Sequence, residues 1–487
     1  MSQTEEEVRL EKIAQLREKG INPFAYTFDK SHSVAALRTE FDALKTDEES
    51  EKTVSIAGRI VAKRGHGKAT FGNVMDVTDR IQYYANLDTL GQEQYDLLLN
   101  LDVGDIIGIA GHPFRTKRSE LSVFVTSFVL LTKSMTPLPE KYHGLQDKEL
   151  RYRMRYVDLI ANPEVREVFK TRSDVVRQIR EFLHNRDYME VETPVLHSIY
   201  GGASAKPFAT HHNTLDQKLY LRIALELHLK RLIVGGFERV FEIGRVFRNE
   251  GVSYKHNPEY TLLELYQAYA DYSDVMSLTE ELISGLVLRL TGSYTLIYQG
   301  QEIDFTPPFK RFTLRDVLLE YAGVDMNDGT EVLQKKAIQM GLDISQKPLK
   351  GQLINYIYDK AVEKHLIQPT FILDYPWETS PLAKRKRDNP ELVERFELIV
   401  STMELANAFS ELNDPQDQLD RFNDQLKAKE SGWDEAHEMD EDFVNALKYG
   451  MPPTGGLGIG IDRVVMLLTD SASIRDVLFF PHMKDKV

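Results

Sequence analysis

The chain has 487 residues and a net charge of −15, with 42% hydrophobic and 28% charged residues. This length predicts at least two domains, and the apolar share is sufficient for packed cores. Because cysteine is absent, disulfide bonds and thiolate zinc sites are excluded. The acidic N-terminus has no apolar signal-peptide core, and no apolar run reaches about eighteen residues. We therefore expect a cytoplasmic protein that does not span a membrane.

The N-terminal part predicts two helices followed by a small β-barrel. Residues 5–19 and 34–44 have amphipathic patterns on either side of a turn at Asn22-Pro23. Short β-branched or alternating runs, separated by Gly and Asp turns, are typical of a barrel. These runs are 54–60, 74–77, 81–84, 106–110 and 123–125. We expect this domain to cover residues 1–136, with a linker at 137–160 marked by Pro137 and Pro139.

The predicted barrel has features of a nucleic-acid-binding domain. Residues 53–133 hold nine Lys or Arg against eight Asp or Glu, a local net charge of +1 in an acidic chain. Gln82 and Tyr84 share one strand face, and Phe71 precedes the neighbouring predicted strand. Such side chains can read unpaired bases by stacking and hydrogen bonding. The simpler alternative is that the aromatic residues pack at the edge of the barrel.

Three segments carry most of the chemistry in the rest of the chain. The first segment, 173–194, has a helix pattern followed by a short strand at 189–192 and then Thr193-Pro194. Two strand-like runs, 240–243 and 262–266, flank a segment with an Arg, acids and a His. A glycine-rich run at 455–460 precedes Arg463 and an apolar helix pattern; glycines allow a ligand to approach the backbone. Residues 312–366 are mostly helical in pattern, and we interpret them as an insertion between the second and third segments.

In this order, the three segments resemble motifs 1, 2 and 3 of the class II aminoacyl-tRNA synthetases. Over nearly the whole chain, the resemblance is strongest to the lysyl-tRNA synthetases of the shorter bacterial type. It implies an α+β fold: an N-terminal OB-fold β-barrel that binds the anticodon, then an antiparallel β-sheet catalytic domain flanked by helices at 161–487. It also implies a homodimer that ligates L-lysine to tRNA(Lys) with ATP, through a lysyl-adenylate, and releases AMP and pyrophosphate.

The resemblance implies roles for individual residues. Arg248 and Arg463 would be catalytic, because they would hold the phosphates of ATP. The implied ATP-binding residues are Arg248, Glu250, His256, Asn257, Tyr260, Glu404, Gly460 and Arg463. Glu397 and Glu404 would hold Mg²⁺, the expected cofactor, which prefers carboxylates together with substrate phosphates. The implied anticodon-binding residues are Phe71, Gln82 and Tyr84.

The lysine-binding residues implied by the resemblance also suit the substrate chemically. They are Gly202, Glu226, Glu264, Tyr266, Asn407, Phe409 and Glu411. A lysine ammonium has three donors and no acceptor, so its pocket requires buried acids. Glu264 and Tyr266 lie two residues apart and so share a strand face, as do Asn407, Phe409 and Glu411. For an isolated strand glutamate, the simpler interpretation is a salt bridge to a neighbouring arginine.

Some residues depart from the pattern, and two alternatives remain open. Leu225, His228 and Tyr260 stand where the family usually has Pro, Tyr and Phe. The basic run 384–387 has the composition of a nuclear signal, but we interpret it as a loop over the active site. A ligase that attaches lysine to a protein would lack the barrel. A synthetase-like RNA-binding regulator would be expected to lose the arginines of motifs 2 and 3.

Overall fold

The computed structural model describes residues 4–139, 145–343, 348–430 and 438–485. Residues 140–144 of the expected linker and 344–347 of the expected insertion lie outside this description. The chain divides into two compact units, Met1–Gln146 and Asp147–Val487. None of the helices in the described ranges is long and apolar enough to span a membrane.

The first unit consists of two N-terminal helices and a closed five-stranded barrel. Its helices are α1 (Glu5–Glu18), α2 (Val34–Glu40) and α3 (Leu87–Asn100). Its strands are β1 (Val54–His66), β2 (Ala69–Met75), β3 (Arg80–Asn86), β4 (Ile106–Arg115) and β5 (Leu121–Thr132). The strands pair in the order β1-β2-β3-β5-β4, and β1 also pairs with β4. With α3 between β3 and β4, this is the expected OB-fold.

The barrel forms because apolar side chains alternate along its strands. In β3, Ile81, Tyr83 and Ala85 are buried inside, and the residues between them are partly exposed. The strands are longer than the sequence predicted, so Phe71 lies within β2 and not before it. Helix α3 was not predicted from the sequence; Asn86 caps it by accepting a hydrogen bond from the Thr89 amide.

The second unit is built on one large sheet with helices around it. Its helices are α4 (Lys148–Arg153), α5 (Arg155–Ala161), α6 (Glu164–His184), α7 (Glu226–Val234), α8 (Tyr272–Thr291), α9 (Leu314–Val317), α10 (Thr330–Gln339), α11 (Lys350–Ile357), α12 (Pro415–Glu430), α13 (Glu441–Lys448), α14 (Ile461–Leu468) and α15 (Ile474–Val477). Its strands are β6 (Met189–Glu190), β7 (Leu196–His197), β8 (Ala209–His212), β9 (Gln217–Leu221), β10 (Arg239–Phe247), β11 (Glu259–Ala268), β12 (Thr295–Tyr298), β13 (Gln301–Asp304), β14 (Lys310–Thr313), β15 (Thr370–Pro376), β16 (Leu392–Val400), β17 (Met403–Ser410) and β18 (Thr454–Gly460).

Eight strands form the large sheet in the order β14-β15-β16-β17-β18-β11-β10-β6. The sheet is antiparallel, as expected, with one parallel pair at each edge: β14 with β15, and β6 with β10. One of its faces packs against α6, α8 and α14 in an apolar core. Helix α6 begins nine residues before the segment assigned to it from the sequence, and β6 has only two residues.

The expected insertion at 312–366 begins in the last residues of β14 and is mostly helical, as predicted. It contains α9, α10 and α11, two π-helical turns at Leu318–Ala322 and Tyr358–Val362, and a 3₁₀ turn at Glu363–His365. Its apolar side chains join those of β15 and β16 in a separate core cluster. The insertion is therefore packed onto one end of the large sheet.

Candidate active site

A cavity of about 1360 Å³ lies over the central strands of the large sheet. It brings together every residue that the sequence analysis assigned to catalysis, ATP, lysine or metal. These lining residues are Gly202, Glu226, Arg248, Glu250, His256, Asn257, Tyr260, Glu264, Tyr266, Glu397, Glu404, Asn407, Phe409, Glu411, Gly460 and Arg463. Residues more than 200 positions apart thus converge on one site.

Arg248 follows the end of β10 and is held at the cavity by backbone bonds. Its amide donates to the Pro258 carbonyl at 2.8 Å, and its Nε donates to the Ile223 carbonyl at 3.3 Å. The guanidinium lies 5.4 Å from the ring centre of Tyr260, a cation–π distance. Tyr260 therefore supports the arginine as well as lining the cavity. A planar guanidinium presented in this way is suited to binding phosphate.

Arg463 lies in the first turn of α14 and contacts two other candidate residues. Its Nη1 donates to the Glu404 carbonyl at 2.6 Å, and its Nη2 lies 3.3 Å from His256 Nε2. Burial, and then the charge of Arg463, lower the pKa of His256, so the imidazole is neutral near pH 7. Arg463 and Arg248 therefore contribute fixed positive charge to this part of the cavity.

Glu397 on β16 and Glu404 on β17 provide an acidic pair on neighbouring strands. Arg395 Nη2 lies 2.6 Å from Glu397 Oε1. Burial raises the pKa of Glu397 to about 7; Arg395 acts to lower it and the Glu404 charge to raise it. Among the described residues, no group of three His, Asp or Glu could hold a metal ion. Two hard oxygen donors fit Mg²⁺ if substrate phosphates complete its coordination.

Glu264 on β11 is buried and accepts two hydrogen bonds. The Tyr266 hydroxyl donates to its Oε2 at 3.2 Å, and the Leu225 amide donates to its Oε1 at 3.1 Å. A proline, usual at position 225 in the resembling family, has no N–H, so this departure supplies an additional donor. Burial, and next the charge of Glu226, raise the pKa of Glu264 to about 8.

Lys230, which the sequence analysis missed, connects the other two buried acids. It lies one turn after Glu226 on α7, and its Nζ is 2.5 Å from Glu226 Oε1. The same ammonium also contacts Glu411 Oε2. The side chains of Lys230 and Glu411 have no solvent exposure, and that of Glu226 has 7%. The (i, i+4) spacing of Glu226 and Lys230 was the signal available in the sequence.

Glycines make room for the acids at two points. A Cβ on Gly456 would lie 1.9 Å from Glu411 Oε1, because Glu411, the first residue after β17, folds across β18. Gly202 has a φ of +87°, a region that favours glycine, and a Cβ there would lie 2.9 Å from the Ala224 Cβ. Larger residues at these positions would displace the pocket wall.

Asn407 and Phe409 complete the wall on β17. The Asn407 Oδ1 accepts a hydrogen bond from Arg395 Nε at 3.1 Å. The Phe409 ring centre lies 5.5 Å from the Lys230 ammonium. The pocket thus combines an aromatic surface with buried acids, which suits a ligand with an apolar stem and cationic ends.

His228 and the basic run 384–387 lie beside the cavity without lining it. His228 packs 4.6 Å from the His197 ring, and burial lowers its pKa to about 4. The interpretation of the basic run as a loop over the active site was wrong: Ser380 to Ala383 line the cavity, and the four basic residues do not. Lys386 pairs with Asp374 at 2.7 Å and Arg387 with Glu394 at 2.8 Å.

The three candidate anticodon residues lie together on the barrel of the first unit. Phe71 and Tyr84 are cross-strand partners with ring centres 4.7 Å apart, and Phe71 is 41% exposed. The sequence analysis missed Phe114 and Phe124, whose rings lie 6.3 and 5.5 Å from Tyr84. Gln82 Nε2 donates to Ser122 Oγ at 2.9 Å. These residues form an aromatic surface with an amide beside it.

Two family models and several relatives match this chain. The family model described as "tRNA synthetases class II (D, K and N)" matches residues 147–484, and the one described as "OB-fold nucleic acid binding domain" matches residues 54–131. The lysine–tRNA ligase of Moorella thermoacetica is 55% identical over 481 residues, covering 98% of this chain and 97% of that protein. Those of Carboxydothermus hydrogenoformans and Bacillus cereus are 54% and 52% identical, with 98% of this chain and 98% and 97% of theirs covered. The chain therefore belongs to the class II aminoacyl-tRNA synthetases, in the family of the lysine–tRNA ligases.

Proposed function

We propose that the protein ligates L-lysine to tRNA(Lys) in an ATP-dependent reaction with a lysyl-adenylate intermediate. The observation that carries this proposal is the convergence of Glu226, Glu264 and Glu411 in one cavity. Lysine brings two ammonium groups, and burying them requires nearby acids. An aspartate or asparagine side chain would instead require donors or cations at these positions.

The pocket suits lysine when its side chain points towards Glu264 and Glu411. Those acids and the Tyr266 hydroxyl receive the side-chain ammonium, and Phe409 packs along the aliphatic stem. Glu226 receives the α-amino group. Gly202 and Asn407 complete the contacts with lysine. Gly202 has no side chain and so leaves space for the substrate, and Asn407 provides a polar group on β17.

The reaction requires charge stabilisation more than a protein nucleophile. The lysine carboxylate attacks the α-phosphate of ATP and expels pyrophosphate, and a terminal ribose hydroxyl of the tRNA then attacks the adenylate. Arg248 stabilises charge on the α-phosphate, and Arg463 binds the pyrophosphate end. Further ATP contacts come from Glu250, His256, Asn257, Tyr260 and Gly460. These residues accelerate the reaction by orienting the two substrates.

We expect Glu397 and Glu404 to hold Mg²⁺ against the ATP phosphates. When bound, the ion neutralises negative charge on the phosphates. The two carboxylates lie on the neighbouring strands β16 and β17, and burial together with the Glu404 charge disfavours ionisation of Glu397 in the absence of a cation. Arg395 pairs with one oxygen of Glu397 and so limits its movement.

We propose that the barrel binds the anticodon of tRNA(Lys) through Phe71, Gln82 and Tyr84. An exposed aromatic ring provides a stacking surface for an unpaired base, and the amide can hydrogen-bond a base edge. The rings of Phe114 and Phe124 pack against Tyr84. A Phe71→Ala variant should lower the affinity for tRNA and leave lysine-dependent pyrophosphate exchange unchanged.

We also propose a homodimer that acts in the cytoplasm. Apolar side chains around motif 1 are exposed: Met189, Val195, Leu196 and Ile199 are between 40% and 51% exposed. Such a patch is typical of an interface, and two-fold dimers are the commonest oligomers. Light scattering should give twice the chain mass, and a stable, active monomer would contradict the proposal.

Pyrophosphate exchange with each of the twenty amino acids tests the proposed substrate. Exchange should depend on lysine, and tRNA(Lys) should then accept lysine from the same enzyme. Exchange with lysine followed by transfer to a protein and not to tRNA would favour the protein-ligase alternative. Binding of tRNA without exchange would favour the regulator.

A further inference from the structure

Lys230 is buried among the acids of the pocket, and none of the roles assigned above uses it. Its side chain has no solvent exposure, and its ammonium contacts Glu226 Oε1 at 2.5 Å and Glu411 Oε2. Although burial acts to lower it, the charges of Glu226 and Glu411 raise the pKa of Lys230, so the group stays cationic. A buried charge is retained at a site only when it is paired in this way.

The two oxygens of the Glu411 carboxylate differ, because one contacts Lys230 and the other receives no hydrogen bond from the described residues. Its Oε2 contacts Lys230. Among the described residues, no group donates a hydrogen bond to Oε1, although the atom is buried. The Oε1 atom occupies the space that a Cβ on residue 456 would fill, and both Gly456 and Glu411 line the cavity. Leaving such a buried acceptor unpaired costs free energy, so the oxygen is suited to a cationic donor from the substrate.

The net charge of the pocket matches the charge of the two ammonium groups of lysine when its acids are ionised. Glu226, Glu264 and Glu411 carry three negative charges when ionised, and Lys230 reduces this to two. Lysine brings two ammonium groups into the pocket, and its carboxylate lies towards Arg248. With Lys230 present, the ionised pocket and the two ammonium groups therefore balance. Without it, three carboxylates would face two cations in a site shielded from water.

We propose that Lys230 is a positioning residue for lysine recognition. It turns one oxygen of Glu226 and one of Glu411 away from the cavity, presents the others to the substrate, and sets the pocket charge to match a diammonium ligand. This inference rests on the proposed lysine substrate. It assigns to α7 a function in specificity through a residue that need not touch the amino acid.

The first test is Lys230→Met, which keeps an unbranched stem and removes the charge. The KM for lysine in pyrophosphate exchange should rise about ten- to a hundredfold, because two charged hydrogen bonds are lost. The KM for ATP should change less than about twofold, since Lys230 lies with the lysine-binding acids. The control is Arg231→Met on the same helix. Arg231 pairs with Asp440 at 2.9 Å outside the cavity, so the KM values for lysine and ATP should both stay unchanged.

A second variant keeps the test decisive if Lys230→Met does not fold. Lys230→Met/Glu411→Gln has two carboxylates and no cation, so it restores the original net charge. The double variant should bind lysine no more weakly than Glu411→Gln alone. In a double-mutant cycle, this result would mean that the two substitutions are strongly coupled. Additive losses in the double variant would overturn the proposal, as would an unchanged KM for lysine in folded Lys230→Met.

The wild-type enzyme separates this inference from the proposed function. If wild-type protein shows no lysine-dependent exchange, the proposed function fails irrespective of the variants. If it does, and folded Lys230→Met raises the KM values for lysine and ATP equally, only the role of Lys230 fails. A selective rise for lysine supports both.

Discussion

Arg172 on α6 forms a salt bridge to Asp462, the residue immediately before Arg463. Arg172 Nη1 lies 2.5 Å from Asp462 Oδ1, and the Thr261 amide on β11 donates to Asp462 Oδ2 at 2.7 Å. One nearly buried carboxylate thus joins the helix of motif 1, the second strand of motif 2 and the first turn of motif 3. The orientation of Arg463 in the cavity therefore depends on α6.

We expect Arg172→Met to destabilise the catalytic unit and to weaken ATP binding more than lysine binding. Removing one partner of a buried pair costs about 3 kcal/mol, because the other charge is left buried. Thermal unfolding and separate KM values for ATP and lysine would measure both effects. The exposed Arg177 on the same helix, paired with Asp174 and Glu181, is the control, and Arg177→Met should leave the unfolding midpoint nearly unchanged. Equal behaviour of the two variants would contradict the prediction.

Arg248→Ala should abolish adenylate formation with only a modest loss of lysine affinity. Its charge matters most in the transition state, and removing one such group costs about 3 kcal/mol or more. Pyrophosphate exchange at saturating lysine is the measurement. The control is Arg245→Ala, on β10 three residues before Arg248 but exposed beside Glu259, and it should retain activity. Exchange by Arg248→Ala within about tenfold of wild type would show that the arginine has another role.

Glu264→Gln should raise the KM for lysine about ten- to a hundredfold and leave the KM for ATP nearly unchanged. The side chain keeps its shape but loses its charge, and a hydrogen bond to a charged group contributes about 1.5–3 kcal/mol. Glu411→Gln should behave alike, and the double variant should lose less than the sum, because both acids serve one ammonium. Equal losses for ATP and lysine, or a collapsed unfolding transition, would make these acids structural.

Lysine binding should release a proton near neutral pH. Glu264 has a pKa of about 8 in the empty pocket, so its carboxyl is protonated at pH 7, and the substrate ammonium favours the ionised form. The apparent affinity for lysine should therefore rise by up to about tenfold between pH 6 and 7, where both ammonium groups remain charged. Calorimetry in buffers of different ionisation enthalpy would count the protons. Affinity independent of pH in wild type, or the same dependence in Glu264→Gln, would refute this.

The raised pKa of Glu264 should make the folded state less stable as the pH rises. The stabilising contribution of the protonated Glu264 carboxyl is fully present below its ordinary value of 4.5. It is lost as the pH rises from there to about 8, because the unfolded chain ionises this carboxyl while the folded state still keeps it protonated. Bound lysine should offset this loss.

Local patterns predicted much of the site. Glu264 and Tyr266 share a strand face whatever the rest of the fold does, so their proximity could be inferred from spacing alone. Lys230 could not be assigned in this way, because a lysine within a helix normally lies on the surface. Its burial depends on Glu411, 181 positions further along the chain.

The basic run 384–387 and the edges of the large sheet also could not be predicted from local sequence patterns. Four consecutive basic residues suggest an exposed loop, but Lys386 and Arg387 are neutralised by Asp374, Asp271 and Glu394. Those partners are brought near only by the tertiary fold. Likewise, the parallel pairing of β14 with β15 joins strands separated by the whole helical insertion, so no short-range pattern could reveal it.

Two acids of the pocket are held by interior strands of the eight-stranded sheet: Glu264 lies on β11, and Glu411 directly follows β17. β11, β17 and β18 each have a hydrogen-bonded strand on both sides, so local fraying cannot reach them. Amide hydrogens in these strands should exchange only when the entire unit opens. Substrate discrimination should consequently not decay gradually on heating; it should persist up to the temperature at which the unit unfolds and disappear there together with the fold.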